Sequence, residues 1–349
     1  MDRYIGIDAH ATSCTVAVIG PTGRKLSQQV VQTSAQALVE CIRTIPRPRH
    51  LCLEEGNLSG WLYEALKPHV DELVVEAFTT KNRGPKSDAR DAFARAQDLR
   101  MGAIEKRVFK DPCRFALLRE LARTYEMITR DVVRTQCRLK VLYLRYGIHA
   151  QGRDVYSPDH RDEWTSKLPS SCHPSAKLLY AELDAARQLK LDASEQLITE
   201  LHRHPISKVL ETCPGFGPIR TALMVPVVVT PHRFRTARQF WSYCGLGILM
   251  RSSSDWVRDG DRWVRAQVNK TRGLNHSFNH TLKNVFKSAA MTIVTNCPDH
   301  PLRQHYNRML TNGTKPNLAK VTLARKIAAT ALVMWKNEEV YDPARHRNP

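Results

Sequence analysis

The first hundred residues alternate between two hydrophobic rhythms. Tyr4-Ile5-Gly6-Ile7-Asp8 is a short apolar run that ends in an acid, and Cys14 to Ile19 is a second β-rich run. Gly20-Pro21-Thr22-Gly23 separates the latter from Leu26–Val31, a spacing that predicts a hairpin. Ser34 to Ile45 carries apolar residues at helical spacing with Ser34 placed as an N-cap. His50–Glu55 and Glu72–Ala77 read as strands, Ser59–Lys67 and Ser87–Met101 as helices, the last with Ser87 as a plausible cap. Strands alternating with helices predict an α/β layer with a partly parallel sheet.

After about residue 110 the pattern becomes helical. Leu117, Leu121, Met127, Ile128, Val132, Leu139 and Leu142 recur at helical spacing among arginines, and Ala176–Leu201 repeats the pattern. Two such helices predict an antiparallel coiled coil or helical arm, with 147–174 between them as a loop or insert. From Ile206 onward helices are expected at Ile219–Val229, Arg235–Cys244, Asn275–Thr295 and Ala319–Trp335, with Cys213–Pro218 as a tight loop. The organisation expected is therefore an N-terminal α/β domain over 1–110, a helical arm over 111–204 and a mostly α-helical domain over 205–349.

Charge sharpens this division. The 349 residues carry a formal net charge of +19. Residues 205–349 hold 22 basic and 8 acidic residues, net +14, whereas residues 1–100 hold 13 and 12, net +1. A positive field concentrated in one region and interleaved with Trp241, Trp256 and Trp263 points to a polyanionic partner, nucleic acid above all. The longest nearly unbroken apolar run, Ala222–Val229, is far short of the ~20 residues that span a bilayer, and no secretory signal is expected. Nine scattered cysteines without Cys-x-x-Cys spacing argue against a disulfide framework or zinc site and for a reducing cytosol.

Several residues have the chemistry for phosphodiester work. Asp8 ends the first strand, Glu55 ends a later one, and Asp88 and Asp91 share a helix face at i, i+3. Acids converging from two strands and a helix are how a protein holds Mg²⁺, which takes hard oxygen ligands and leaves positions for phosphate. Glu54 competes with Glu55; strand alternation puts them on opposite faces, so one serves. His10, two residues after Asp8, could approach such a site, but is read first as structural. Pro214-Gly215-Phe216-Gly217-Pro218 leads into a helix and offers backbone N–H groups to a phosphate, with Arg220, Arg233, Arg235 and Arg238 nearby. Ser252-Ser253-Ser254 lies among Arg251, Arg258, Arg262 and Arg265, where cations would stabilise the charge of an attacking hydroxyl.

Taken in order, these segments resemble the DEDD transposases of the insertion sequence 110 family, bridge-RNA-guided recombinases. The likeness rests on Tyr4-Ile-Gly-Ile-Asp8, on Leu53-Glu-Glu55 with Trp61 six residues on, and on Lys86-Ser-Asp88-Ala-Arg-Asp91. It continues through Pro214–Pro218, Arg233-Phe234, Phe240–Leu246, Leu282-Lys283 and Ala324-Arg325-Lys326. The resemblance implies a RuvC-like (RNase H-like) N-terminal domain with Asp8, Glu55, Asp88 and Asp91 as catalytic Mg²⁺ ligands, the spacing to Trp61 favouring Glu55. It implies Ser253 as the nucleophile that holds cut DNA as a phosphoserine, and Gly215, Gly217, Arg220, Arg235, Arg238, Arg251, Arg258 and Lys283 as nucleic-acid contacts. It further implies donor and target DNA, a structured guide RNA and further copies of the chain, as dimer or tetramer, as partners in a bacterial cytosol or nucleoid. The rival readings are a junction endonuclease that hydrolyses DNA with metal-activated water, and a non-catalytic nucleic-acid-binding protein.

Overall fold

The computed structural model describes residues 1–77, 87–108, 114–250, 256–265, 271–275 and 277–346. The chain divides into two compact units, Met1–Arg114 and Phe115–Pro349.

In the first unit β1 (Arg3–Ala9), β2 (Ser13–Ile19) and β3 (Lys25–Gln32) form an antiparallel meander, as the short polar turns between them dictate. Helix α1 (Ala35–Thr44) carries the chain across to β4 (Arg49–Glu54), and α2 (Ser59–Leu66) carries it on to β5 (Glu72–Glu76); both strands run parallel to β1. The sheet order is β3-β2-β1-β4-β5, a mixed five-stranded sheet of the RNase H-like kind. Its period-two alternation separates two faces. Ile5, Ile7, Leu51, Leu53, Leu73 and Val75 bury against Leu38, Ile42, Leu62 and Leu66 of α1 and α2. The intervening positions, Gly6, Cys52 and Val74 among them, face α3 (Asp88–Arg100), whose Leu99 closes a smaller core. Capping is local and as expected: the Ala37 N–H donates to Ser34 Oγ at 3.2 Å, and the Arg90 N–H to Ser87 Oγ at 3.3 Å.

Gly6 sets the depth of α3 on the sheet. A Cβ at this position would lie 1.9 Å from the Ala92 carbonyl oxygen and 2.8 Å from the Ala96 nitrogen. Only a residue without a side chain lets the helix backbone approach β1 this closely.

The second unit opens with α4 (Ala116–Leu144), which runs antiparallel to a later long helix, α6 (His173–His202). Tyr143 and Tyr180 share a hydrogen bond at 2.9 Å, Thr135 donates to Glu182 at 3.1 Å, and at the opposite end Leu118 shares a core with Leu197 and Leu201. The connection differs from the loop expected over 147–174. It contains 3₁₀ turns and the short helix α5 (Arg161–Ser166), and buries Val155, Tyr156 and Leu168 against Leu139, Tyr143 and Tyr180. Its apolar anchors sit on successive short turns rather than at a helical or strand period, so periodicity does not reveal them.

Phe115, Leu118, Ala122, Leu197 and Leu201 join the core of the C-terminal helices, so the arm and those helices form one unit. The helices are α7 (Ile206–Leu210), α8 (Pro218–Val228), α9 (Ala237–Tyr243), α10 (His280–Asn296), α11 (Pro301–Thr311) and α12 (Pro316–Asn337). Helix α11 and four short strands depart from the sequence expectation. Strand β6 (Ile248–Met250) pairs with β9 (Thr271–Leu274), and β7 (Trp256–Asp259) with β8 (Arg262–Arg265). Helix α10 starts five residues later than expected because the Asn279 side chain accepts the Leu282 N–H at 3.0 Å, while Asn275 Oδ1 accepts the Ser277 N–H at 3.0 Å in a local turn. Among the described residues no helix is long and apolar enough to cross a membrane.

Candidate metal centre and nucleic-acid surface

The β1–β4 register decides which acids meet. Ile7 pairs with Leu53 in the parallel ladder, so Asp8 and Glu54 follow side by side on one face, the face covered by α3. Arg95 of α3 reaches both: its Nη1 donates to Asp8 Oδ1 at 3.0 Å and its Nη2 to Glu54 Oε2. The Arg95 and Asp8 side chains are only 12% and 13% exposed. From the open side, His10 Nε2 lies 3.2 Å from Asp8 Oδ2 and 3.4 Å from Asp88 Oδ1. Asp8, His10 and Asp88 each offer a ligand atom within 4.8 Å of the other two.

Asp88 and Asp91 occupy the first turn of α3. Negative charge there is favoured by the helix dipole, so the sequence Ser87-Asp88-Ala89-Arg90-Asp91 caps its own helix and places two acids at its start. Asp91 lies one turn before Arg95 on the same helix.

Glu55 is placed differently from the sequence expectation. It is exposed, lies one residue beyond β4, and has the opposite alternation to Asp8; its N–H donates to the Glu76 carbonyl at 2.7 Å. Glu54 is the glutamate whose carboxylate joins Asp8 through a common partner. A signal for this was present: Tyr4-Ile-Gly-Ile-Asp8 and His50-Leu-Cys-Leu-Glu54 share one alternation, so adjacent parallel strands in phase align Asp8 with Glu54. The approach of His10 to Asp8 is local, two residues along the chain, whereas the contacts of Arg95 had no such signal, since they depend on distant elements.

The donor set suits a hard divalent ion. Carboxylate oxygens converge from β1, β4 and α3, the buried Arg95 guanidinium already offsets part of their charge, and the His10 ring lies against two of them.

The basic residues of the second unit divide into inward and outward groups. Arg220 is a correction: its Nε donates to Ser288 Oγ at 2.9 Å, Nη1 to the Gly215 carbonyl at 2.5 Å and Nη2 to Thr292 Oγ1 at 3.0 Å. Burial lowers its pKa, and its hydrogen bonds tie the Gly215 loop to α10 rather than reaching outward to a phosphate. Gly215 itself has φ +73°, and a Cβ there would lie 2.5 Å from the Ala289 carbonyl oxygen. Gly217 caps α8 in an extended conformation with open space around its α-carbon. Arg235 and Arg238 are exposed at the start of α9. Lys283 sits 3.9 Å above the centre of the Phe278 ring, its pKa lowered by burial and by Lys287.

Strands β7 and β8 present a more pointed surface. Arg258 faces Trp263 across the ladder, and alternation puts Trp256 on the same face as both. Trp256 and Trp263 are 57% and 68% exposed. Aromatic planes beside a guanidinium are the elements by which proteins stack bases and meet phosphates. Ser252, Ser253, Ser254 and Arg251 precede this hairpin in sequence and lie outside the described residues.

A mixed sheet in this order, with acids at the ends of adjacent parallel strands and at the start of the helix packed on them, defines a DEDD nuclease domain. Two family models match. One, described as a transposase of the DEDD_Tnp_IS110 type, covers residues 5–147; the other, described as transposase IS116/IS110/IS902 family, covers residues 207–307. The chain belongs to the IS110 family of transposases. No curated protein matches it.

Proposed function

We propose that the chain is a Mg²⁺-dependent DNA recombinase that cuts donor and target DNA and exchanges their strands under the guidance of an element-encoded bridge RNA. The observation that carries this reading is the gathering of Asp8, Glu54 and Asp88 from three elements, at the C-terminal ends of β1 and β4 and the start of α3, around Arg95 and His10. The ligands are Asp8, Glu54, Asp88 and Asp91. Glu54 takes the role expected of Glu55 because it shares the face of Asp8. Mg²⁺ held there supplies charge neutralisation at the scissile phosphate.

The remaining roles fall to the chain's own residues. The Ser253 hydroxyl attacks the phosphorus, a serine–phosphate ester forms, the bond to the departing strand's hydroxyl breaks, and the serine proton passes to solvent or to that hydroxyl. Attack by a hydroxyl of the exchanged strand reverses these steps and frees the serine, so the number of phosphodiester bonds is kept. Cations of the C-terminal region (net +14 over residues 205–349), with Arg235, Arg238, Arg251, Arg258 and Lys283 among them, hold the strands. Base pairing of the RNA to donor and target selects the site, as in other RNA-guided systems. Residues 1–110 form the catalytic part, 111–204 the arm and 205–349 the basic part, and copies of the chain assemble as a dimer or tetramer in the cytosol.

The test is a trapping experiment with the full chain, Mg²⁺, the guide RNA and labelled DNA. Wild type gives a detergent-resistant protein–DNA adduct, and Ser253→Ala gives none, while Ser252→Ala and Ser254→Ala behave as wild type. Cutting by Ser253→Ala without an adduct identifies hydrolysis by water, the endonuclease reading. An adduct that survives Ser253→Ala moves the nucleophile elsewhere.

A further inference from the structure

Two bases stand among the acids of the first unit, and they stand differently. His10 bridges Asp8 Oδ2 and Asp88 Oδ1 from the solvent side, its own side chain 53% exposed. Arg95 bridges Asp8 Oδ1 and Glu54 Oε2 from beneath α3, at 12% exposure. The two oxygens of Asp8 are thus divided between them.

Their chemistry makes this division consequential. His10 stands half exposed and can swing into water when a divalent cation arrives. A guanidinium cannot be deprotonated in a protein. Arg95 has little room to leave, and its departure would strand two partly buried carboxylates without a counter-charge, a costly state. Two-ion phosphodiester chemistry sets its ions ~3.5–4 Å apart with a carboxylate shared between them. Here Asp8 is the shared carboxylate, and the place between it and Glu54 is taken by a side chain.

We propose that this centre binds one divalent cation, which displaces His10 and is held among Asp8, Glu54, Asp88 and Asp91, and that Arg95 is a built-in second cation that positions Asp8 and Glu54 for it. The inference rests on reading these acids as the metal centre, and goes beyond it by fixing how many ions the centre takes and why. Arg95 neutralises the pair with one delocalised charge. It holds Asp8 in one orientation whether or not the ion is bound, so the ion meets a prearranged ligand.

The experiment counts ions on the full-length chain. Mn²⁺ is titrated by calorimetry and by electron paramagnetic resonance of the free ion, with folding checked by circular dichroism. The expected result is one Mn²⁺ per wild-type chain without spin coupling, none for Asp8→Asn, and two for Arg95→Gln, whose amide leaves the Asp8–Glu54 pair without a cation. Arg95→Lys restores the count to one. Two ions or a spin-coupled pair in wild type overturn the proposal whatever the variants do, and so does a folded Arg95→Gln that still takes one. If wild type binds Mn²⁺ and Asp8→Asn binds it equally well, or if neither binds it at all, the metal-centre reading fails and the proposal falls with it.

Discussion

Replacing Gly6 by alanine tests how the sheet delivers its acids. The added Cβ falls 1.9 Å from the Ala92 carbonyl oxygen and 2.8 Å from the Ala96 nitrogen. Both are backbone atoms in the middle of α3, so no side chain can rotate away. Relieving the overlap lifts the helix by ~1 Å or tilts it, at the cost of ~1–3 kcal/mol or more that overpacking a close contact brings. That helix carries Asp88, Asp91 and Arg95, while Asp8 and Glu54 stay on the strands. A displacement of ~1 Å between reacting groups reduces rates ~100-fold. Gly6→Ala should therefore lower the midpoint of urea denaturation and cut metal-dependent DNA cleavage by about two orders of magnitude, even at temperatures where the protein stays folded. A variant with wild-type cleavage and a denaturation midpoint unchanged would refute the packing argument.

Four further outcomes are expected. Glu54→Gln should abolish cleavage, whereas Glu55→Gln should retain most of it, measured on the same DNA substrate; the reverse ranking would restore Glu55 as the ligand. Arg220→Ala should destabilise the protein by ~2 kcal/mol or more, through the lost ties between the Gly215 loop and α10, and leave the salt dependence of DNA binding unchanged. Arg238→Ala should do the opposite, lowering the salt slope by about one contact with little effect on melting. Finally, burial lowers the pKa of His300 from 6.5, and its unprotonated Nδ1 accepts the Leu302 N–H at 3.1 Å as the cap of α11. The unfolded chain takes up this proton first, so stability is full above pH 6.5 and falls as the pH drops through that value toward the folded pKa. Melting temperatures should decline over that window. His300→Asn, a cap without a titrating group, should decline less, with His305, also lowered, supplying a remainder of the same sign.

The parts of this molecule legible in the sequence are those governed by local rules. Alternation in Tyr4–Asp8 and Glu72–Glu76, the turn at Gly20–Gly23, and the caps Ser34 and Ser87 each act within a few residues, and the strands and helices form where those signals predict. The positions of Asp8 near a strand end and of Asp88 and Asp91 at a helix start were readable for the same reason. What was not legible depends on register and tertiary approach. Shared alternation hints at Glu54 over Glu55, but only the register of β4 against β1 decides it, and Arg220 looks like any surface arginine until Ser288 and Thr292 of α10 are brought beside it. The connection between α4 and α6 folds onto Tyr143 and Tyr180 through scattered anchors, and strands β6–β9 are too short for their alternation to register.

The most direct measurement of the central claim is affinity cleavage of the polypeptide by iron. Fe²⁺ takes the place of Mg²⁺ at oxygen-rich centres, and with ascorbate and peroxide it generates radicals that cut the backbone beside the ion. If the carboxylates of β1, β4 and α3 gather one divalent ion, mass spectrometry should find cuts clustered at residues 8, 54 and 88–91, suppressed by excess Mg²⁺ and lost in Asp8→Asn. Cuts confined to other segments, or a pattern indifferent to Mg²⁺ and to Asp8, would contradict it.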